Sequence, residues 1–316
     1  MPGPQSNHTQ ITAAFKQQFH DSFELACQQK KSALESTVTS RGAIVGSSFT
    51  INDLGKVSMR KRTSADRFTD TNLVVPDAGT RVALMSDYDL HVPLEVFDIP
   101  KLSAAPDNAY MQLMVAAANR AKDELIFAEL TNPIGRRTAD NPRGGTALTN
   151  VSLPTSQIIN APATTTTAPA EKLTKSLLIQ IRSRFRKNEC DDEELFIIYN
   201  SNMLSSILAD PDLTSADYMS VQMLQQGAVA NKFLGFTWVP YEGVTEITDG
   251  ASNPKTLGFT SAAYCKSALH FGTGKDYSTD IGTRYDMNNI KQLSAMMSYG
   301  AGRANEQKVV QFSFAV

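Results

Sequence analysis

Apolar and polar positions alternate along this chain with several different periods, and the period of each block predicts its element. From Ile11 to Leu34, Ala14, Phe15, Phe19, Phe23 and Ala26 recur at three- and four-residue steps, which predicts a helix behind a polar arm carrying Pro2 and Pro4. Residues 37 to 88 read as an extended β hairpin. "GAIVGSSFTIN" and "GKVSMRKR" lead out, "TRVALMSDYDL" leads back, and a polar tip lies between them. So few apolar residues serve so long a hairpin that its own subunit offers little to bury them against. After "APDNAY", Tyr110, Leu113, Met114, Ala117, Ala121, Leu125 and Ala128 form one helical stripe ending near Leu130.

Residues 131 to 170 lose all periodicity. "TNPIGRRTADNPRGGTALT" is turn chemistry and "APATTTTAPAE" is low-complexity, so a long loop is expected. A second amphipathic helix follows, with Leu173, Leu177, Ile181 and Phe185 on one side and Lys172, Lys175, Arg182 and Arg186 towards the other. "ELFIIYN" reads as a buried strand, "SNMLSSILAD" as a short helix, and "LTSADYMSVQMLQQG" as a capped helix stopped by Gly227. "KFLGFTWVP" reads as a strand, with Gly235 suggesting a bulge or a close backbone approach. The last segment alternates, Val310, Phe312, Phe314 and Val316 against Val309, Gln311 and Ser313. Together these blocks predict an α+β fold: a long hairpin, a long helix, then a mixed sheet with flanking helices. The single Trp238, with Phe236, belongs in the core of that sheet, and Gly227 and Gly235 shape the chain around it.

Composition narrows the function. The 316 residues carry 30 Lys and Arg against 32 Asp and Glu, a net charge of −2. No global field draws the chain to nucleic acid or to a membrane, so local basic clusters must carry such contacts. The three cysteines have no ligand-type or framework spacing. The N-terminus lacks the apolar core of a signal peptide, and no stretch is long enough to span a bilayer, so a soluble product without membrane contact is expected.

Signs of catalysis are few. No two of His8, His20, His91 and His270 share a metal-ligand spacing. "FGTGKDYST" lacks both the first Gly and the Ser or Thr of a phosphate loop, so a turn between strands is expected there. "GSSFT" lacks the second Gly of a nucleophile elbow. "ECDDEE" reads as a solvated turn. Neither a cofactor nor a metal is expected. What remains is basic: Lys56, Arg60, Lys61, Arg62 and Arg67 on the hairpin, and "IRSRFRKN" on the second helix, either of which could meet phosphates or an acidic neighbour. Arg120 and Asp123 are three apart on the long helix, suited to a local ion pair or to a partner chain.

Three segments carry a family resemblance. "AYMQLMVAAANRAKDELIFAEL" resembles the spine helix of major capsid proteins of tailed, podovirus-like bacteriophages. "NMLSSILADPDLTSADYMSVQMLQQGAVANKFLGFTWVP" and "YGAGRANEQKVVQFSFA" resemble that family's later helix, strand and closing strand, in the same order. The resemblance spans about residues 40 to 316. It implies the fold of bacteriophage Hong Kong 97: an N-terminal arm (1–36), an extended hairpin called the E-loop (37–88), a peripheral domain (89–165 and 291–316) and an axial domain (166–290).

It also implies a structural, non-enzymatic subunit that self-assembles into pentamers and hexamers of an icosahedral head around double-stranded DNA, in the host cytoplasm. Lys56, Arg60, Lys61, Arg62, Arg67, Arg120 and Asp123 would then be inter-subunit contacts. The implied partners are further copies of the chain, a portal, a separate scaffolding protein (the arm being short), a cement protein in some relatives, and DNA bound non-specifically. The lysine-to-asparagine cross-link of some relatives has no match here. An encapsulin-like enzyme compartment shares the fold, and a soluble enzyme with an unrecognised site is the alternative from another class.

Overall fold

The computed structural model describes residues 29–315, except 64–65, 68–69, 72, 95–105, 139–147, 165, 170, 191, 210–231 and 252–253. Most of the helix expected at 11–34, and all of that expected to end at Gly227, lie outside this set. Residues 29–34 are not helical and lead into a single 3-10 turn, Glu35–Thr37.

Two mixed sheets account for the strands. The first contains β1 (Thr39–Ala43), β2 (Ser48–Leu54), β3 (Ala78–Leu94), β4 (Ile134–Thr138), β5 (Leu148–Val151), β12 (Leu269–Arg284) and β13 (Ile290–Arg303). Its order is β1-β12-β13-β3-β4-β5, with β2 also paired to β3. The second contains β6 (Ile158–Ile159), β7 (Leu195–Tyr199), β8 (Lys232–Phe233), β9 (Phe236–Pro240), β10 (Thr245–Thr248), β11 (Thr256–Cys265) and β14 (Val309–Ala315). It runs β6-β14-β11-β7-β9-β8, with β10 on β11. The described helices are α1 (Pro106–Thr131), α2 (Lys175–Lys187) and α3 (Ser201–Ala209).

The chain divides into two compact units. The smaller takes its residues from 1–31, 89–119 and 277–296. Its core is Leu94, Met114, Leu293 and Ala295, with Tyr110 and Tyr277 packed against them. The larger comprises 32–88, 120–276 and 297–316. All five residues of β7 are buried, since β11 and β9 flank it and β7 and β9 run parallel. Helix α2 lays Leu177, Leu178, Ile181 and Phe185 into the same core. Trp238 is buried edge-on to Tyr199, with ring centroids 5.8 Å apart, and Phe236 meets Phe185 at 6.0 Å.

Five expectations are corrected. The stretch 131–170 is not a structureless loop. β4 and β5 form an antiparallel pair added to β3, with Arg81 opposite Arg136, so main-chain partners supply what side-chain periodicity lacks. "FGTGKDYST" is not a turn but lies within β12, between β1 and β13. Gly235 is neither a bulge nor inside a strand. Leu234 and Gly235, at φ of 52° and 79°, form the two-residue turn of the β8–β9 hairpin, a geometry that needs positive φ at both positions. The closing strand is not one-faced: Val309, Val310, Phe312, Ser313 and Phe314 are all buried in β14. The buried Ser313 hydroxyl is satisfied by Thr260 at 2.9 Å. On the hairpin, the outgoing strand ends at Leu54, and "GKVSMRKR" is not part of it.

Trp238→Ala is expected to lower the unfolding free energy by about 3–5 kcal/mol, the usual cost of emptying a buried aromatic site. Trp238→Phe, which keeps a ring against Tyr199, should cost less. Urea titration of both variants checks the order.

Candidate assembly surface

The hairpin of β2 and β3 is paired from Ser48 opposite Leu84 to Leu54 opposite Ala78. Only near its root does it have a core: Phe49, Ile51 and Ala83 cluster with Ile44, Met85 and Ala304. Beyond Leu54 the large apolar side chains among the described residues face outward. Met59, Leu73 and Val75 are 103%, 82% and 87% exposed, and Leu54, Val57 and Val74 are exposed with them. A two-stranded ribbon has no second layer of its own to cover such residues, and a concentration of them on a surface marks an interaction site.

The predicted basic residues surround this tip. Arg60 pairs with Asp66, and Arg62 donates to the Asp66 carbonyl oxygen at 3.3 Å. Asp66 also accepts from the Thr63 backbone and hydroxyl, each at 2.8 Å, and these bonds hold its carboxyl below the usual range. Lys61 and Arg67 are exposed, while Lys56 reaches Glu189 at the end of α2. Part of the basic cluster is therefore folded around an acid within its own chain.

The root of the hairpin is held by charge. Arg81 on β3 donates to Asp53 on β2 at 3.0 Å and makes a two-pronged pair with Glu306, its Nη2 at 2.8 Å. Arg136 on β4 donates to the same Asp53 oxygen at 2.8 Å and to Asp77 at 2.9 Å. The fully buried Arg303 lies 3.6 Å from Glu306. Its guanidinium donates to the carbonyls of Leu130 (3.0 Å), Asn132 (2.8 Å) and Val151 (3.0 Å). A cation thus caps the C-terminal end of α1, where the helix dipole favours it.

Burial works against the charges of Arg81 and Glu306, but each outweighs it for the other. The guanidinium is held more firmly protonated than usual and the carboxyl is pulled below its ordinary value. Burial dominates at Arg303 and lowers its affinity for the proton, and burial pushes the nearby Glu129 carboxyl up. Gly79 is required at this crossing, because a Cβ there would lie 2.6 Å from both the Arg136 Nε and the Asp53 carboxylate.

The expectation of an inter-subunit contact at Asp123 gives way to an intrachain role. Asp123 is fully buried and accepts from the Ser32 hydroxyl and the backbone N–H groups of Ala33 (2.9 Å) and Leu34 (3.1 Å). Captured this way, those N–H groups are not available to continue a helix, which accounts for the break before Glu35. Lys122 adds Glu35 at 3.2 Å and lies over the Tyr299 ring at 4.8 Å. Arg120 is exposed. Gly227 lies outside the described residues.

Asp53, Glu306, Arg136 and Arg303 carried no signal of their own in the sequence. They converge from three distant segments, Arg303 and Glu306 coming from the same one. Among the described residues no group of three or more His, Cys, Asp or Glu could hold a metal ion, and no helix is long and apolar enough to cross a membrane.

Residues 11–316 match the family model described as "Phage capsid protein". No curated protein matches the chain. Among solved structures it is similar to the capsid of the cyanophage P-SCSP1u, at 14% identity and a TM-score of 0.67, covering 96% of this chain and 93% of that one. It is also similar to the capsid of Ralstonia phage GP4, at 12% identity and a TM-score of 0.66, covering 95% and 96%. Cyanophage Pam1 capsid gives 11% identity and a TM-score of 0.63, covering 98% and 99%.

Arg303→Met strips a buried charge from partners that remain, so a loss of about 3–5 kcal/mol in unfolding free energy is expected by urea titration. The pH dependence follows from Glu306. Its folded pKa is depressed, so its stabilisation is complete above the ordinary value of 4.5 and is lost as pH falls through the lower folded value. The urea midpoint should therefore drop more steeply in acid for the unaltered chain than for Glu306→Gln.

Proposed function

The chain belongs to the phage capsid protein family and is a structural major capsid protein with the Hong Kong 97-type fold; from that premise we propose how it assembles. Copies join into pentamers and hexamers, and these close into an icosahedral head around double-stranded DNA in the host cytoplasm. The observation that carries this reading is the hairpin tip, whose Met59, Leu73 and Val75 stand almost wholly in solvent in the free subunit. Burying them on a neighbouring copy recovers about 25 cal/mol per Å² of apolar surface, a gain the subunit alone does not offer.

In this reading 1–36 is an arm, 37–88 the E-loop, 89–165 with 291–316 the peripheral domain, and 166–290 the axial domain. Lys56, Arg60, Lys61, Arg62, Arg67 and Arg120 meet acidic surface on an adjacent subunit and set its register, while the apolar tip contributes most of the affinity. The flexible members of the assembly absorb the angular difference between five- and six-fold rings. A separate scaffolding protein and a portal complete the head, and a cement protein is accommodated on its outside.

The triple variant Arg60→Glu, Lys61→Glu, Arg62→Glu is expected to fold, with circular dichroism unchanged, and to form no shells. Normal particles by negative-stain electron microscopy would contradict the role of these cations. Leu73→Ser with Val75→Ser should likewise leave the free subunit's stability within about 0.5 kcal/mol, the range for exposed sites, while raising the concentration needed for assembly.

A further inference from the structure

We propose that the solvent face of α2 binds the phosphate backbone of the packaged DNA, an inference that rests on the reading of the chain as a shell around DNA. The helix spans 13 residues, Lys175–Lys187, and so is about 20 Å long. Its apolar face is spent: Leu177, Leu178, Ile181 and Phe185 are buried. Away from that face Lys175, Arg186 and Lys187 are exposed and Arg184 is half-buried, while Arg182 lies over the Phe236 ring at 5.8 Å; the helix contains no carboxylate.

Arg184 and Lys187, at i, i+3, carry like charges and repel. The helix dipole eases this in part, since Arg184, Arg186 and Lys187 lie in the last turn. The first acid beyond the C-terminus, Glu189, is taken by Lys56. Among the described residues no carboxylate forms an ion pair with Lys175, Arg184 or Lys187.

The rest of the solvent face suits a phosphate backbone better than a protein. Ser176 and Gln180 lie exposed beside the cations and can donate to phosphate oxygens, while the Ser183 hydroxyl already donates to the Gln180 carbonyl at 2.8 Å. A protein partner would want an apolar or aromatic anchor at the centre of its contact, and the face offers only Ile179, half exposed. With a net charge of −2 over the whole chain, the concentration of one sign on a single helix is a local feature. Nothing on it reads bases, so the binding is to backbone and independent of sequence.

Lysine acetylation by a small succinimidyl ester, read by mass spectrometry, tests the placement. Three samples are compared: DNA-filled shells, shells emptied of DNA, and unassembled full-length subunit. Lys175 and Lys187 should be protected in filled shells and react in emptied shells as fast as in the free subunit. Equal labelling in filled and emptied shells would put α2 on the outside and overturn the proposal. Protection in both would make α2 a contact between subunits and overturn it equally.

A second measurement uses the unassembled subunit with a short duplex DNA. The variant Lys175→Gln, Arg184→Gln, Lys187→Gln should reduce the slope of log affinity against log salt by about 2.7, the loss of three phosphate contacts. An unchanged slope contradicts the proposal. Shell formation by the unaltered chain is scored separately, so a failure of the assembly reading itself would be recognised as such.

Discussion

Arg81 stands where the hairpin leaves the body, and among the described residues distal to it no buried cluster forms. β2 and β3 pair over seven residues, β4 pairs β3 from Gly79 to Val82, and one short buried cluster lies at the root, with described apolar side chains in water beyond Leu54. Beyond that cluster and the main-chain pairing, the direction of the hairpin has to be fixed by other contacts. Charge supplies them: Asp53 on one strand, Arg81 on the other, Arg136 on the strand beside them, and Glu306 and Arg303 from the end of the chain form one connected series. Buried ion pairs give little net stability against an apolar core of the same size, but they tolerate few alternative geometries. A root fixed in direction with a tip left uncovered is what a subunit needs if its contact surface is to be presented rather than folded away.

The same series ties the hairpin to α1. Arg303 occupies the carbonyls at the end of that helix, and the middle of the helix holds Ser32–Leu34 through the buried Asp123. The second sheet is built differently. β7, β11 and β14 are buried through most of their length, and the aromatic pairs of Trp238 with Tyr199 and Phe236 with Phe185 fill it. One part of the chain is self-sufficient by burial; the other is anchored by charge and left with apolar surface to bury elsewhere.

Elements with strong side-chain periodicity were legible in the sequence. The stripe from Tyr110 to Ala128 predicted α1, Leu177 to Phe185 predicted α2, and "ELFIIYN" predicted a buried strand. Elements set by main-chain pairing were not. β4 and β5 have turn-rich sequences and exist because β3 offers an edge; β12 carries three glycines and is paired on both sides. Leu234 would not be chosen for a left-handed position, so the two-residue turn before Trp238 was hidden inside what read as one strand. At the hairpin, the shortage of apolar partners could be read, and so could the basic cluster, but not the acids that meet it. Asp53, Asp66 and Glu306 look like ordinary surface carboxylates until the fold brings each beside an arginine.

Amide hydrogen exchange across residues 55–77, compared between the unassembled subunit and the closed shell, tests the central claim most directly. Fast exchange in the free subunit, slowed by orders of magnitude in the shell while the root at 48–54 is protected in both, is the predicted result. Equal exchange in the two states would mean that no neighbouring copy covers the hairpin, and would contradict the account.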